Sequence, residues 1–170
     1  MSIDGQKRVR HYDEPGVAHS LTFTCYHRLP LLADDEVRML MIRSLDATRR
    51  RLRFSIWAYV LMPNHVHLLI RPNAESYSIA QVLQSIKQPV AFHGLKRARI
   101  LYPDLGHFWQ RGPGFDENIS TVLRAREMAS YIHANPVRKG LVSTPEDWRW
   151  SSARFWMGQL EFDLAMDAIE

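Results

Sequence analysis

Eighteen residues, Phe54–Arg71 (FSIWAYVLMPNHVHLLIR), constrain the fold more than any other stretch of the 170. Two apolar runs flank Met62-Pro63-Asn64, a turn-like break, so the segment reads as a hairpin of two strands. The second strand begins His65-Val66-His67-Leu68-Leu69-Ile70. Strand side chains alternate between faces, which puts His65 and His67 on one face, roughly 6–7 Å apart at the backbone, and Val66 and Leu68 on the other. Two imidazoles so spaced can converge on one divalent metal. They can equally be two half-exposed strand histidines without a ligand, and the hairpin alone leaves both readings open.

The flanking segments supply the rest of a small fold. Val17–Tyr26 (VAHSLTFTCY) is rich in β-branched and aromatic residues and predicts a first strand. Asp34-Asp35 opens a helix in which Val37, Leu40, Met41, Leu45 and Leu52 recur at helical spacing, and Arg49-Arg50-Arg51 sets cations at its negative end. Ser78 caps a second helix with Ile79, Val82, Leu83, Ile86 and Val90 on one face, kinked or interrupted at Pro89. Phe108–Arg111 predicts a short edge strand ended by Gly112-Pro113-Gly114. Asn118 or Ser120 then caps a third helix that runs to about Ala134 and stops at Pro136. Val122, Ala125, Met128, Ala129 and Ile132 form its buried stripe, with Arg124, Tyr131 and Asn135 on a neighbouring one. The order β-α-β-β-α-(β)-α predicts an α+β fold: a ferredoxin-like or RRM-like antiparallel sheet, the His-x-His pair on a central strand, and helices packed on one face.

Composition narrows the function. The chain reads as one domain over 1–170, with an N-terminal arm (1–15) and an acidic tail (158–170). A single cysteine, Cys25, excludes an internal disulfide and a thiolate zinc site. No apolar run approaches the roughly 20 residues that span a bilayer, and the polar N-terminus lacks the apolar stretch of a signal peptide, so the cytoplasm and no membrane partner are expected. Before position 156 there are 22 basic and 14 acidic residues, a net +8 that suits a polyanion. Lys87, Lys96, Arg97 and Arg99, interleaved with Phe92 and His93, could hold single-stranded nucleic acid or simply form a solvated helix back. His19 and His27 have no partner at metal-ligand spacing and read as structural or surface residues. No role is assigned to His133. The three tryptophans of Trp148–Trp156 read as packing anchors.

Four strings together resemble a known family. They are Ala58-Tyr59-Val60-Leu61-Met62-Pro63-Asn64-His65-Val66-His67-Leu68-Leu69, Phe108-Trp109-Gln110, Tyr131-Ile132-His133-Ala134-Asn135-Pro136-Val137-Arg138-Lys139-Gly140-Leu141-Val142, and Trp150-Ser151-Ser152. They are similar to the one-tyrosine, His-hydrophobic-His transposases of single-stranded DNA mobile elements, and within these to the REP-associated tyrosine transposases of bacteria, over roughly Val17 to Phe155. The resemblance implies Tyr131 as nucleophile, and His65, His67 and Asn135 as ligands of a divalent metal, Mg2+ or Mn2+. It implies cleavage of single-stranded DNA to a 5′-phosphotyrosine and a free 3′-hydroxyl, followed by strand joining, at hairpin-forming repetitive extragenic palindromes. A monomer is expected in preference to a homodimer. Without the resemblance, Tyr131 reads as a packing tyrosine and Asn135 as a cap before Pro136. Charge and proximity make Lys87, Arg97, Arg124, Arg138 and Lys139 the candidate phosphate contacts. The alternatives are a domesticated, non-catalytic palindrome-binding protein and an RRM-like nucleic-acid-binding module, the second of which needs exposed aromatics on the central strands. The acidic tail is expected to lie over the basic cleft and restrain it.

Overall fold

The computed structural model describes residues 13–159 and 163–170; most of the N-terminal arm lies outside the described residues. The hairpin is present, β2 (Phe54–Leu61) turning back into β3 (His65–Pro72). With β1 (Ala18–Thr24) and β4 (Phe115–Ile119) it makes one antiparallel sheet in the order β2-β3-β1-β4. Both histidines therefore lie on β3, a central strand.

Alternation along the strands sorts the core into two layers. One face turns Leu21, Phe23, Ile56, Val66, Leu68 and Ile70 toward α1 (Asp35–Leu52) and α2 (Ile79–Ala98), which pack on each other. This is the α+β arrangement expected, with helices packed on one face. The other face is partly covered by α3 (Val122–Arg138), whose Ala125, Met128, Ala129 and Ile132 meet Ala18, Ala58, Val60, Leu69 and Ile119. The end of that face beyond Leu69, where His65 and His67 stand, stays accessible. Cys25 is buried, and burial pushes its thiol up to about 12, so it is unreactive at neutral pH.

Several boundaries differ from the sequence reading. Asp34 and Ser78 cap α1 and α2 as expected, but α2 runs unbroken through Pro89. Phe108–Arg111 is not a strand: it contributes one bridge, Cys25 to Trp109, and the buried rings of Phe108 and Trp109. The fourth strand is Phe115–Ile119 instead, a polar stretch that pairing with β1 makes extended. Its Asp116 meets His19 Nδ1 at 2.9 Å, and Tyr77 Oη meets His19 Nε2 at 2.9 Å, so this fully buried histidine is structural. Thr121, rather than Asn118 or Ser120, caps α3 by accepting from the Arg124 N–H.

The outer edge of β2 does not face water. Trp150 O accepts from the Leu61 N–H (2.8 Å), Tyr59 O from the Ser152 N–H (3.0 Å), and Trp57 O from the Trp156 indole (3.0 Å). Further along, the Asp167 N–H donates to Ile56 O (3.0 Å) while its carboxylate accepts from the Ile56 N–H (2.8 Å). The tryptophan segment and the tail thus occupy hydrogen-bonding groups that would otherwise invite pairing with another chain. The described tail residues do not lie over the basic cleft: Leu164 is buried in the layer beneath α1, and Asp163 and Asp167 pair with Arg149 and Arg49.

Candidate active site at the histidine pair

The imidazoles of His65 and His67 lie with ring centroids 4.8 Å apart, half-buried on the face that α3 shares. Each is held at Nδ1 by a side chain. Asn64 Oδ1 lies 2.7 Å from His65 Nδ1, and Thr22 Oγ1 lies 2.8 Å from His67 Nδ1 across the β1–β3 ladder. With a proton on each Nδ1, both Nε2 lone pairs are free to meet a cation. Burial, then the charges of Lys139 and Arg28, lowers the His65 pKa to about 4. Burial, then His65 and Arg138, lowers that of His67 to about 4, against a smaller opposing effect of Asn135. Both rings are neutral at pH 7, the form a metal requires.

Asn135 owes its orientation to Pro136. The helix continues through that proline to Arg138, although its missing N–H leaves the Ile132 carbonyl without its usual partner. Asn135 Nδ2 takes that carbonyl at 3.2 Å and the Tyr131 carbonyl at 3.1 Å. Its amide oxygen remains, and it is turned to His67, whose protonated form it favours. A neutral His67 Nε2 lone pair and this oxygen repel each other unless a proton or a cation lies between them. A neutral ring meets the first condition with its proton on Nε2 and leaves room for the second with its proton on Nδ1, so the site can accept a cation in the second tautomer.

Among the described residues no three His, Cys, Asp or Glu side chains group together. The candidate ligands are therefore the two imidazoles and the Asn135 amide oxygen. Two imidazole nitrogens and one amide oxygen fit a divalent cation of the Mg2+, Mn2+ or Zn2+ type, with room for phosphate oxygens or water.

Tyr131 stands one helical turn before Asn135, 49% exposed, its ring 6.0 Å from that of His67. Arg138 lies over this ring, 4.1 Å from its centroid, and donates to the Tyr131 carbonyl. A cleft of about 440 Å³ opens here, lined by Thr22, His67, Phe115, Arg124, Met128 and Tyr131.

The five candidate phosphate contacts are not one patch. Arg138 stacks on Tyr131, and the charges of Lys139 and Arg138 act on His65 and His67 respectively, lowering their pKa values. Arg124 lines the cleft but forks onto Glu117 at 2.9 Å. Lys87 sits on the α2 side of the sheet against the rings of Phe23 and Trp109, and Arg97 is held by Asp34 at 2.7 Å. These last two stand apart from the cleft. The open face of the central strands carries Ser20, Thr22, His65 and His67 and no exposed aromatic, so an RRM-like stacking surface is not present there. Sequence reasoning did not find Thr22, Asn64 or Phe115. Asn64 was signalled by adjacency to His65, whereas Thr22 and Phe115 reach the site only through strand register.

Comparison with known proteins bears on the family and the fold. The family described as IS200-like transposase matches residues 17–135. Among solved structures, a REP-associated tyrosine transposase bound to a REP hairpin is 23% identical with a TM-score of 0.74, covering 97% of this chain and 94% of that one. A transposase-like protein from Deinococcus radiodurans R1 is 22% identical with a TM-score of 0.51, covering 75% and 95%. No curated protein matches. No helix among the described residues is long and apolar enough to cross a membrane. With the matched region reaching from the start of β1 to Asn135, the chain belongs to the IS200-like transposase family.

Proposed function

We propose that this transposase cleaves and rejoins single-stranded DNA at hairpin-forming palindromic repeats through a covalent 5′-phosphotyrosine on Tyr131, with Mg2+ or Mn2+ held by His65, His67 and Asn135. The observation that carries the reading is the meeting of Tyr131 with the histidine pair across one cleft. The solved relative bound to a REP hairpin supports the substrate class.

A phenol is a weak nucleophile at neutral pH and needs a prepared site. When bound, the metal supplies a Lewis acid for a phosphate oxygen and neutralises developing charge. The protein's residues do the rest. Asn64 Oδ1 accepts from His65 Nδ1–H, and Thr22 holds the direction of the His67 ring and can accept from its Nδ1–H. Asn135 is set by the carbonyl that Pro136 leaves over. Arg138 and Lys139 place two cations where phosphate charge arrives, Arg138 also holding the Tyr131 ring.

The Tyr131 oxygen forms its bond to phosphorus as the bond to the 3′ oxygen breaks, and the phenol proton is balanced by the proton on the released 3′-hydroxyl. Joining is the reverse, a 3′-hydroxyl attacking the adduct, so the phosphotyrosine conserves the bond and no nucleotide cofactor is needed. The reading keeps the monomer expected from the sequence, with Tyr131 attacking in cis.

The test is incubation of labelled hairpin DNA carrying single-stranded flanks with Mn2+ or Mg2+. A denaturant-resistant protein–DNA adduct is expected, absent with chelator and in Tyr131→Phe, which keeps the ring and removes the oxygen. No adduct under any divalent condition, from folded protein that binds the hairpin, refutes the reading and leaves a palindrome-binding protein.

A further inference from the structure

The cleft has an aromatic wall for which bond breaking has no use. Phe115, the first residue of β4, is 53% exposed, and its ring lines the same cleft as His67 and Tyr131. Among the described residues no other ring lies against it. Register places it there. His67 pairs with Thr22 and Thr22 with Phe115, so the three form one row across the sheet on the face of the histidine pair. Two inter-strand steps separate His67 from Phe115, about 9.5 Å at the backbone. This is close to the span between a phosphate and the far edge of an adjoining nucleobase.

The residues around Phe115 hold it in that row. Gly114 has φ +74°, and a Cβ there would collide with the Thr22 carbonyl oxygen, so the chain enters β4 pressed onto β1. Asp116, on the opposite face, bonds His19, and Glu117, on the cleft face, bonds Arg124. The charges also have a polarity. Arg138 and Lys139 lie at the histidine and tyrosine end, whereas Arg124, at the Phe115 end, is already matched by Glu117. One end of the cleft suits a phosphate and the other an uncharged planar group.

We propose that Phe115 is the stacking platform for an unpaired nucleobase adjoining the scissile phosphate, the strand running through the cleft from Tyr131 toward β4. The inference rests on the DNA-cleaving reading above and adds the path of the strand to it. Stacking accepts any base by its π-face, so Phe115 contributes affinity and position rather than base identity.

The experiment uses the full chain carrying Tyr131→Phe, which removes cleavage, and measures its binding to a hairpin oligonucleotide whose flanking nucleotides are made abasic one at a time. A stacked base is worth ~1–3 kcal/mol, so at one flanking position the abasic oligonucleotide should bind about 5- to 150-fold more weakly. Adding Phe115→Ala should abolish that preference while leaving affinity for the abasic oligonucleotide unchanged. Phe115→Trp should retain it, with indole fluorescence quenched by the intact strand alone. Phe115→Leu, which keeps bulk, should reduce the preference and decides the matter if the alanine variant fails to fold. A preference that survives Phe115→Ala, or no preference at any flanking position, overturns the proposal. Failure of every variant to bind the hairpin overturns it together with the cleavage reading. Intact coupling without an adduct from the unmodified chain overturns cleavage alone.

Discussion

Replacing Thr22 by valine removes one hydroxyl from the cleft floor and keeps the β-branched shape that the strand prefers. The hydroxyl lies 2.8 Å from His67 Nδ1. Neutral His67 has two tautomers. With the proton on Nε2 it can donate to the Asn135 amide oxygen, and with the proton on Nδ1 it donates to Thr22 and frees Nε2 for a cation. Only the second binds metal, and in the valine variant its N–H has no acceptor. An orphaned buried donor costs about 1–3 kcal/mol, equivalent to about 5- to 150-fold in affinity. Loss of a partner that orients a metal-binding histidine costs about 10- to 100-fold. His67 is only half-buried, and water can partly replace the hydroxyl, so about tenfold weaker Mn2+ binding is expected. The assay is an Mn2+ titration of the DNA-free protein by electron paramagnetic resonance, paired with the Mn2+ dependence of adduct formation. Thr22→Ser restores the hydroxyl and should restore affinity. Valine binding within twofold of the unmodified chain, or serine as weak as valine, refutes the idea that this hydroxyl selects the tautomer.

Three further outcomes follow from buried groups. His65, His67 and His133 are each held at about 4, chiefly by burial, yet protonate near 6.5 when unfolded. The unfolded chain therefore takes up more protons between pH 6.5 and 4, and stability should fall with pH in that window and be unaffected by these groups above it. Three such groups give at most about 4 kcal/mol per pH unit, less because His65 and His67 are partly exposed; urea midpoints at pH 7, 5.5 and 4.5 measure it, and a flat profile contradicts it. Ser152→Ala removes the hydroxyl that meets His133 Nε2 at 2.8 Å and accepts from the Tyr59 N–H at 2.9 Å. Two orphaned buried groups should lower stability by about 2–6 kcal/mol and Tm by about 5–20 °C, seen in a thermal melt that an unchanged Tm would contradict. Deleting 163–170 uncovers the Ile56 edge and removes buried Leu164, so ~2–4 kcal/mol of stability and some solubility should be lost, with the adduct rate per folded molecule unchanged. A faster rate would return the tail to the cleft.

The hairpin, both long helices with their caps, and the histidine pair on one face were legible because each depends on neighbours in sequence. Period-two alternation decides which way His65 and His67 point, and an Asp or Ser ahead of an apolar 3.6-residue repeat decides where a helix begins. Strand β4 was not legible. Phe-Asp-Glu-Asn-Ile has little β-propensity, and its Asp116 is buried only because His19, ninety-seven residues away in sequence, receives it. Thr22 and Phe115 share that difficulty: nothing local to either marks it, and both reach the cleft through ladder register.

Pro136 shows the opposite case, in which a local rule holds for its chemistry and fails for its consequence. The proline does remove a helical hydrogen bond, which argued for a break after Ala134. The helix need not end where the freed carbonyl finds another partner, and here the preceding residue supplies one, Asn135 Nδ2 bonding Ile132 O at 3.2 Å. The helix continues to Arg138, which brings that guanidinium back over Tyr131. The same bond leaves the Asn135 oxygen as the free end of the amide and turns it to His67. Asn-Pro at this position thus couples two requirements, a helix long enough to hold the tyrosine ring and an amide directed at the histidines. Alanine at 136 would supply Ile132 with its ordinary N–H partner and release Asn135. Loss of Mn2+ affinity in Pro136→Ala without loss of helix content would separate that directing role from a merely structural one.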